Sequence, residues 1–130
     1  MRIGELASRS GCSVQTIRYY EKEGLLPKPK RTEGNFRLYD RSIYDQLMFV
    51  KRCRNLNLTL QEIRELVNFK SSPDRLCDDV NVIIEQHLNQ VEAQIVELKN
   101  LRRQLVNLSQ TCSEKNKVEQ CGILRELSQN

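Results

Sequence analysis

The chain has 130 residues, of which 38% are hydrophobic and 29% charged, and 21 Lys and Arg against 17 Asp and Glu give a net charge of +4. This length suits one globular domain, or a small domain with one extended element. Five glycines and three prolines exclude collagen-like and low-complexity classes. Because no apolar run is long enough for a membrane span or a signal peptide, we expect a soluble, cytoplasmic, mainly helical protein.

The positive charge is concentrated in the N-terminal part of the chain. Residues 1–54 contain 12 Lys and Arg against 6 Asp and Glu, whereas residues 76–130 contain 6 against 8. Such an asymmetry indicates a polyanionic partner for the N-terminal part. Judged from charge alone, the alternative to a polyanion-binding surface is an ordinary charged surface that faces solvent.

Two short helices are predicted at the N-terminus. The first covers Ile3–Ser10, and the second covers Val14–Lys22, with Ser13 as its N-cap and Gly24 placed to end it. Two helices joined by a short turn that contains Gly11 form the helix-turn-helix pattern.

A small basic hairpin, or wing, is predicted next. Pro27 and Pro29 exclude a helix in this segment. Glu33 and Gly34 favour a turn, and the alternation in residues 35–39 predicts a short strand.

Two more helices follow the wing. Asp40 can cap a helix from Arg41 to about Arg54, and Thr59 with Glu62 forms a capping box for a helix that ends near Phe69.

One long helix is predicted from about Leu76 to Ser109, where the chain has neither Pro nor Gly. Its apolar residues repeat at intervals of mainly three and four, as in a coiled coil. They are Val80, Ile84, Leu88, Val91, Ile95, Leu98, Leu101, Leu105 and Leu108. Self-association as a two-helix coiled coil would bury this seam, and packing on the N-terminal part is the alternative. A polar loop and a short helix at residues 122–128 complete the chain.

Three stretches, IGELA, TIRYYEKEGLL and GNFRLY, followed by a long helix, resemble the MerR family of transcriptional regulators. The resemblance implies a winged helix-turn-helix head, a homodimer held by an antiparallel coiled coil, and activation by distorting double-stranded promoter DNA for RNA polymerase. The implied parts are a head at 1–75, a dimerisation helix at 76–110, and a metal-binding loop with a short helix at 111–130.

The same resemblance implies which residues contact DNA. The recognition helix would contribute Thr16, Arg18, Tyr19 and Tyr20, and the wing Arg31, Asn35, Phe36, Arg37 and Tyr39. Arginine can bind guanine or phosphate, and hydroxyl groups can bind phosphate. Tyr19 and Tyr20 can also be core aromatic residues, and we expect one of them to be partly buried.

Five cysteines, an odd number without a CxxC pair, argue against a disulfide framework in a reducing compartment. Cys12 and Cys53 are expected to fill small apolar sites in the head. Cys77 begins the long helix and Cys112 follows its end, so roughly 45–50 Å of helix separates them. One chain therefore cannot bring both to one ion. An antiparallel dimer sets Cys77 of one protomer beside Cys112 and Cys121 of the other.

Three thiolates favour soft metal ions over magnesium or calcium. LCDDVN at Leu76–Asn81 and CGIL at Cys121–Leu124 resemble the branch of the family that responds to lead(II) and cadmium(II). Mercury(II) and zinc(II) stay open as effectors. We expect the metal to order the loop between Cys112 and Cys121. His87 is either a packing residue on the coiled coil or a further ligand.

Two other functions remain open: a thiol redox sensor on the same scaffold, and a metal-sequestering protein without a regulatory role. An enzyme is not expected, because the chain has one histidine, no Gly-rich phosphate loop and no nucleophile beside a base.

Overall fold

The computed structural model describes residues 1–112 and 115–129. The chain forms two compact units, Met1–Ile83 and Ile84–Asn130. The elements run in the order α1 (Ile3–Ser10), α2 (Val14–Lys22), β1 (Lys30–Arg31), β2 (Arg37–Leu38), α3 (Arg41–Asn55), α4 (Leu60–Lys70), α5 (Cys77–Ser109), a 3-10 helix (Val118–Gln120) and α6 (Gly122–Leu127). Among the described residues, no helix is both long enough and apolar enough to span a membrane.

Side-chain caps start the helices where the sequence predicted them. Ser13 and Asp40 each accept a hydrogen bond from the backbone N–H three residues further on, at 3.1 and 3.0 Å. Thr59 and Glu62 form a complete capping box, with donor–acceptor distances of 2.8 and 3.1 Å. These bonds satisfy N–H groups that the first turn of a helix leaves without partners, so the predicted starts of these helices are confirmed.

The first unit has one hydrophobic core, to which all four of its short helices contribute. Leu6 of α1 and Ile17 of α2 are both fully buried and hold the helix-turn-helix together. The core comprises Leu6, Ile17, Tyr20, Leu25, Leu26, Tyr39, Ile43, Leu47, Val50, Cys53, Leu58, Ile63, Leu66 and Ile83. Cys53 is buried there, which raises the pKa of its thiol, and Cys12 packs against the same core. Both cysteines fill apolar sites, as predicted.

The wing is an antiparallel pair in which Lys30 lies opposite Leu38 and Arg31 opposite Arg37. Its second strand is shorter than the predicted residues 35–39. Asn35 belongs to the turn, where its φ of 64° suits a short polar side chain. Tyr39 instead donates its backbone N–H to the carbonyl of Met1 at 2.7 Å, so the N-terminal residue pairs with the end of the wing.

The long helix is present as predicted, since α5 covers 33 residues. In the second unit its apolar seam is uncovered: six side chains are between 45 and 63% exposed. They are Ile84, Leu88, Ile95, Leu98, Leu101 and Leu105. The polar segment predicted as a loop contains the short 3-10 helix, and its residues 113 and 114 lie outside the described residues.

Candidate functional site

The second helix of the helix-turn-helix exposes the side that the resemblance assigned to recognition. Arg18 is exposed and Tyr19 is 48% exposed, whereas Ile17, on the opposite side of the same helix, is buried in the core. Thr16 is half-buried, and its hydroxyl lies 2.8 Å from that of the N-cap Ser13. The helix therefore presents a guanidinium and hydroxyl groups on one side while its apolar side anchors it.

A basic cleft lies between α2 and the wing. It is lined by Arg18, Glu21, Lys22, Lys28, Pro29, Arg31 and Arg37. Five of these seven residues are cations, so the cleft attracts an anion such as a backbone phosphate. Lys22 and Lys28 were not among the predicted contacts. In the sequence, the only indication of this role was that Lys22 lies at the end of α2 and Lys28 just before β1. The fold brings both to one cleft.

One carboxylate fixes the wing against α2. Glu21, whose side chain is 11% exposed, accepts a hydrogen bond from the Tyr39 hydroxyl and lies 3.3 Å from the Arg37 guanidinium. Burial and the neighbouring Glu21 raise the pKa of Tyr39 to about 12. The phenol therefore stays protonated and keeps donating to Glu21, and Arg37 is held in place beside the cleft.

Two of the predicted contacts lie in the core. Tyr20 is 9% exposed and Tyr39 is fully buried. We expected one of the two adjacent tyrosines to be partly buried, and the buried residue is Tyr20, whereas Tyr19 is exposed. The Tyr39 ring is enclosed and its hydroxyl is bound to Glu21, so this residue positions the wing against α2.

The remaining wing residues are accessible. Arg31 donates to the backbone carbonyl of Asn35 at 3.1 Å, which closes the hairpin turn. Phe36 is 52% exposed, and Arg37 is partly exposed at the rim of the cleft. The structure thus brings Arg31 and Arg37 together with Arg18 and leaves Phe36 at the tip of the wing.

The end of α2 is also tied to α4. The guanidinium of Arg64 donates to the carboxylate of Glu23 at 2.7 Å and to its backbone carbonyl at 3.0 Å. Glu23 is the C-cap of α2. A planar guanidinium that grips one residue in two places fixes orientation as well as distance, so α4 holds the recognition helix from its C-terminal end.

Two of the predicted metal ligands are neighbours in the second unit. The side chains of Cys112 and Cys121 form a hydrogen bond, and Cys121 is the N-cap of α6. The backbone N–H of Leu124 donates to the Cys121 sulfur, which lowers its pKa. The bond to Cys121 raises the pKa of Cys112. One thiol of the pair is thus prepared to be a thiolate.

Gly122 allows this pairing. A Cβ at Gly122 would lie 2.0 Å from the carbonyl oxygen of Thr111, so only glycine lets the residues before Cys112 approach the residue after Cys121 so closely. This contact joins the end of the long helix to the start of α6.

The third predicted ligand, Cys77, is the exposed first residue of α5 and belongs to the first unit. Within residues 1–112 and 115–129, no three His, Cys, Asp or Glu side chains form a group that could hold a metal ion. His87 is half-buried on α5. The structure therefore pairs Cys112 with Cys121 and supplies no third ligand of these residue types to that pair within the described part of one chain.

A helix-turn-helix, a basic wing and a cleft of five cations define the class of protein: a winged helix-turn-helix DNA-binding protein. The family comparisons give its lineage. A family described as MerR HTH family regulatory protein matches residues 1–70, and one described as MerR, DNA binding matches residues 44–108. The chain belongs to the MerR family of helix-turn-helix regulators. The predicted family, the winged helix-turn-helix head and the long helix are confirmed, and membership of a family of transcription regulators agrees with the prediction that the protein is not an enzyme.

Three similar proteins cover most of the chain. A protein of Haemophilus influenzae, named HTH-type transcriptional regulator ZntR homolog, is 44% identical over 83% of this chain and 80% of its own length. The mercuric resistance operon regulatory protein of Bacillus cereus is 36% identical over 97% and 96%. The crystal structure of the regulator PbrR691 from Ralstonia metallidurans in complex with lead(II) has a TM-score of 0.89 and 46% identity, over 98% of this chain and 99% of that one.

Proposed function

We propose that this regulator is a homodimer that binds double-stranded promoter DNA and responds to a soft divalent metal ion. The metal would be held by Cys77 of one protomer with Cys112 and Cys121 of its partner. Lead(II) and cadmium(II) are the proposed effectors, and mercury(II) and zinc(II) are the ions against which they must be tested. The solved lead(II) complex of one similar protein and the mercuric resistance regulator support a response to a soft metal ion.

The observation that carries the proposal is the thiol pair. Cys112 and Cys121 are linked by a hydrogen bond, and backbone N–H groups of α6 donate to both sulfurs. The N–H donors lower the pKa of Cys121 and so favour its thiolate, which is the form that binds metal, whereas Cys112, whose pKa is raised, would lose its proton when the metal binds. Two thiolates fit lead, cadmium, mercury and zinc and do not suit magnesium or calcium. When bound, the metal supplies cross-links between segments that are otherwise separate.

The second support is the uncovered seam of α5. Apolar side chains at Ile84, Leu88, Ile95, Leu98 and Leu105 are about half exposed, a spacing that a second copy of the helix can cover. Antiparallel pairing would carry Cys77 of one copy toward the thiol pair of the other. Since the described residues of one chain offer no group of three ligands, the proposal needs this partner.

In the proposed mechanism, metal binding at the cysteines changes the position of the DNA-binding heads. Metal binding to Cys77 and the partner's thiol pair would fix the start of α5, which follows α4 in the chain. Arg64 connects α4 to the C-cap of the recognition helix. The two heads would stay on the promoter and change its twist, so that RNA polymerase meets promoter elements in a better alignment.

A metal titration of three proteins tests this function. Wild type should bind lead(II) with thiolate charge-transfer absorption and activate transcription from its promoter. Cys77→Ser should bind promoter DNA normally and lose the metal response, whereas Cys53→Ser, a buried cysteine of the head, should keep it. Unchanged induction in Cys77→Ser would refute the ligand assignment.

A redox sensor is the second candidate, because a hydrogen-bonded thiol pair with one lowered pKa also favours thiol–disulfide chemistry. Activation by peroxide without added metal would favour that function. Activation by lead(II) under reducing conditions would favour metal sensing. Membership of a DNA-binding family argues against the third alternative, metal sequestration alone.

A further inference from the structure

Arg2 lies over the ring of Phe36, outside the set of residues assigned to DNA above. Its guanidinium carbon is 4.2 Å from the centre of the ring. This distance is well within the range of a cation–π contact, and a planar guanidinium can stack on an aromatic face. The contact therefore places a positive charge at the tip of the wing.

Both partners in this contact are held in place by the fold. The backbone of Met1, next to Arg2, accepts the N–H of Tyr39 at 2.7 Å, so the N-terminal segment runs beside the wing. On the wing, a Cβ added at Gly34 would lie 3.2 Å from two carbon atoms of the Phe36 ring. The ring thus also packs closely on the Gly34 backbone.

Arg2 retains its capacity to bind an anion. Its residue is exposed, and among the residues that the structure describes it forms no ion pair with a carboxylate. Arg9, by contrast, is paired with Glu5 at 2.9 Å. A guanidinium stacked on a ring keeps its N–H donors in the plane, directed outward, where they match two oxygens of a phosphate.

We infer that Arg2 is a further DNA-binding residue, which takes a backbone phosphate at the edge of the site touched by the wing. The inference rests on the proposed DNA binding by α2 and the wing, and it adds one cation per head that the sequence motifs did not indicate. Phe36 acts here as a positioning residue that presents Arg2. A phosphate contact carries no sequence information, so Arg2 contributes equally to promoter and unrelated DNA.

The salt dependence of DNA binding tests this role. Each phosphate contact contributes about 0.9 to the slope of log affinity against log salt concentration. A dimer of Arg2→Ala loses two contacts, so its slope should be shallower than that of wild type by about 1.8. Between about 50 and 200 mM salt, the ratio of wild-type to variant affinity should therefore fall roughly tenfold.

The probe is a labelled DNA duplex of sequence unrelated to any promoter, titrated with the full chain and read by fluorescence anisotropy at several salt concentrations. Arg103→Ala is the matched control, because it removes the same charge from the second unit. Arg2→Gln, measured beside thermal unfolding of each variant, separates binding from folding. A shallower slope for both Arg2 variants, with wild-type unfolding midpoints, supports the inference.

Slopes for the Arg2 variants that equal those of wild type or of Arg103→Ala overturn the inference, whatever their stability. That result differs from failure of the proposed function. If wild type itself shows no decrease in affinity with salt, DNA binding by the head is wrong; if it does and Arg2 makes no difference, only the role of Arg2 is wrong.

Discussion

The Tyr39 hydroxyl is the most informative single group in the head, because it joins the wing to the recognition helix through Glu21. Tyr39→Phe removes one oxygen and leaves the fully buried ring in place. The carboxylate of Glu21, 11% exposed, then loses one of its two donors and keeps only Arg37 at 3.3 Å. Hydrogen bonds to charged groups contribute about 1.5–3 kcal/mol, so the unfolded fraction should rise roughly ten- to a hundredfold.

Urea unfolding followed by circular dichroism measures this loss as a lower midpoint with an unchanged slope. Tyr19→Phe is the matched control: Tyr19 is 48% exposed, and its variant should stay within about 0.5 kcal/mol of wild type. Tyr39→Phe as stable as Tyr19→Phe would refute the role given to this hydrogen bond.

The difference in pH dependence between wild type and Tyr39→Phe follows from the raised pKa of Tyr39. Because its folded pKa is about 12 and its unfolded value about 10, its contribution is complete below pH 10 and lost as the pH rises to 12. Wild type should lose stability relative to Tyr39→Phe across that interval. A constant difference between the two proteins up to pH 12 would contradict the assignment.

Two further changes test the second unit. Gly122→Ala places a carbon 2.0 Å from the Thr111 carbonyl oxygen, so it should displace Cys121 from Cys112 and weaken lead(II) binding about tenfold or more. Gly4→Ala is the control, because its added carbon meets no atom within 4 Å and should leave lead(II) binding unchanged. Isothermal titration measures both affinities, and equal values would contradict the role of Gly122. Leu101→Glu should weaken the dimer about a hundredfold or more, because burying a leucine is worth about 1.5–3 kcal/mol and each dimer loses two. Sedimentation equilibrium reads this, with exposed Gln94→Glu as the control; an undiminished dimer would show that Leu101 lies outside the interface.

Local features of the head were predictable because they depend on residues close in the sequence. A cap such as Ser13 or Asp40 is a local hydrogen bond, so the starts of α2 and α3 follow from the sequence itself. The capping box of Thr59 and Glu62 fixed the start of α4 in the same way. The length of α5 followed from the absence of Pro and Gly.

Contacts between distant residues were not predictable in this way. Arg64 meets Glu23 across 41 residues, and Arg2 meets Phe36 through a hairpin whose strands have only two residues each. The alternation in residues 35–39 indicated a strand but not that Tyr39 would be enclosed. The motif therefore assigned Tyr39 to DNA, while the packing of the wing on α2 buries it.

The candidate metal site also has a part that the sequence predicts and a part that depends on contacts between distant residues. The cysteines were visible in the sequence, and Cys112 and Cys121 meet because Gly122 permits a close approach within one unit. Cys77 lies in the other compact unit. Its joining of the pair depends on a second copy of the chain, so it stays a proposal.

Mixing two defective proteins tests that proposal most directly. Chains carrying Cys77→Ser are combined with chains carrying Cys112→Ser and Cys121→Ser, differently tagged heterodimers are purified, and tightly bound lead(II) is counted. Sharing between protomers restores one complete set of three thiols, so each heterodimer should hold one ion, while both parent homodimers hold none. Heterodimers that bind no more lead(II) than their parents would contradict a site built from two chains.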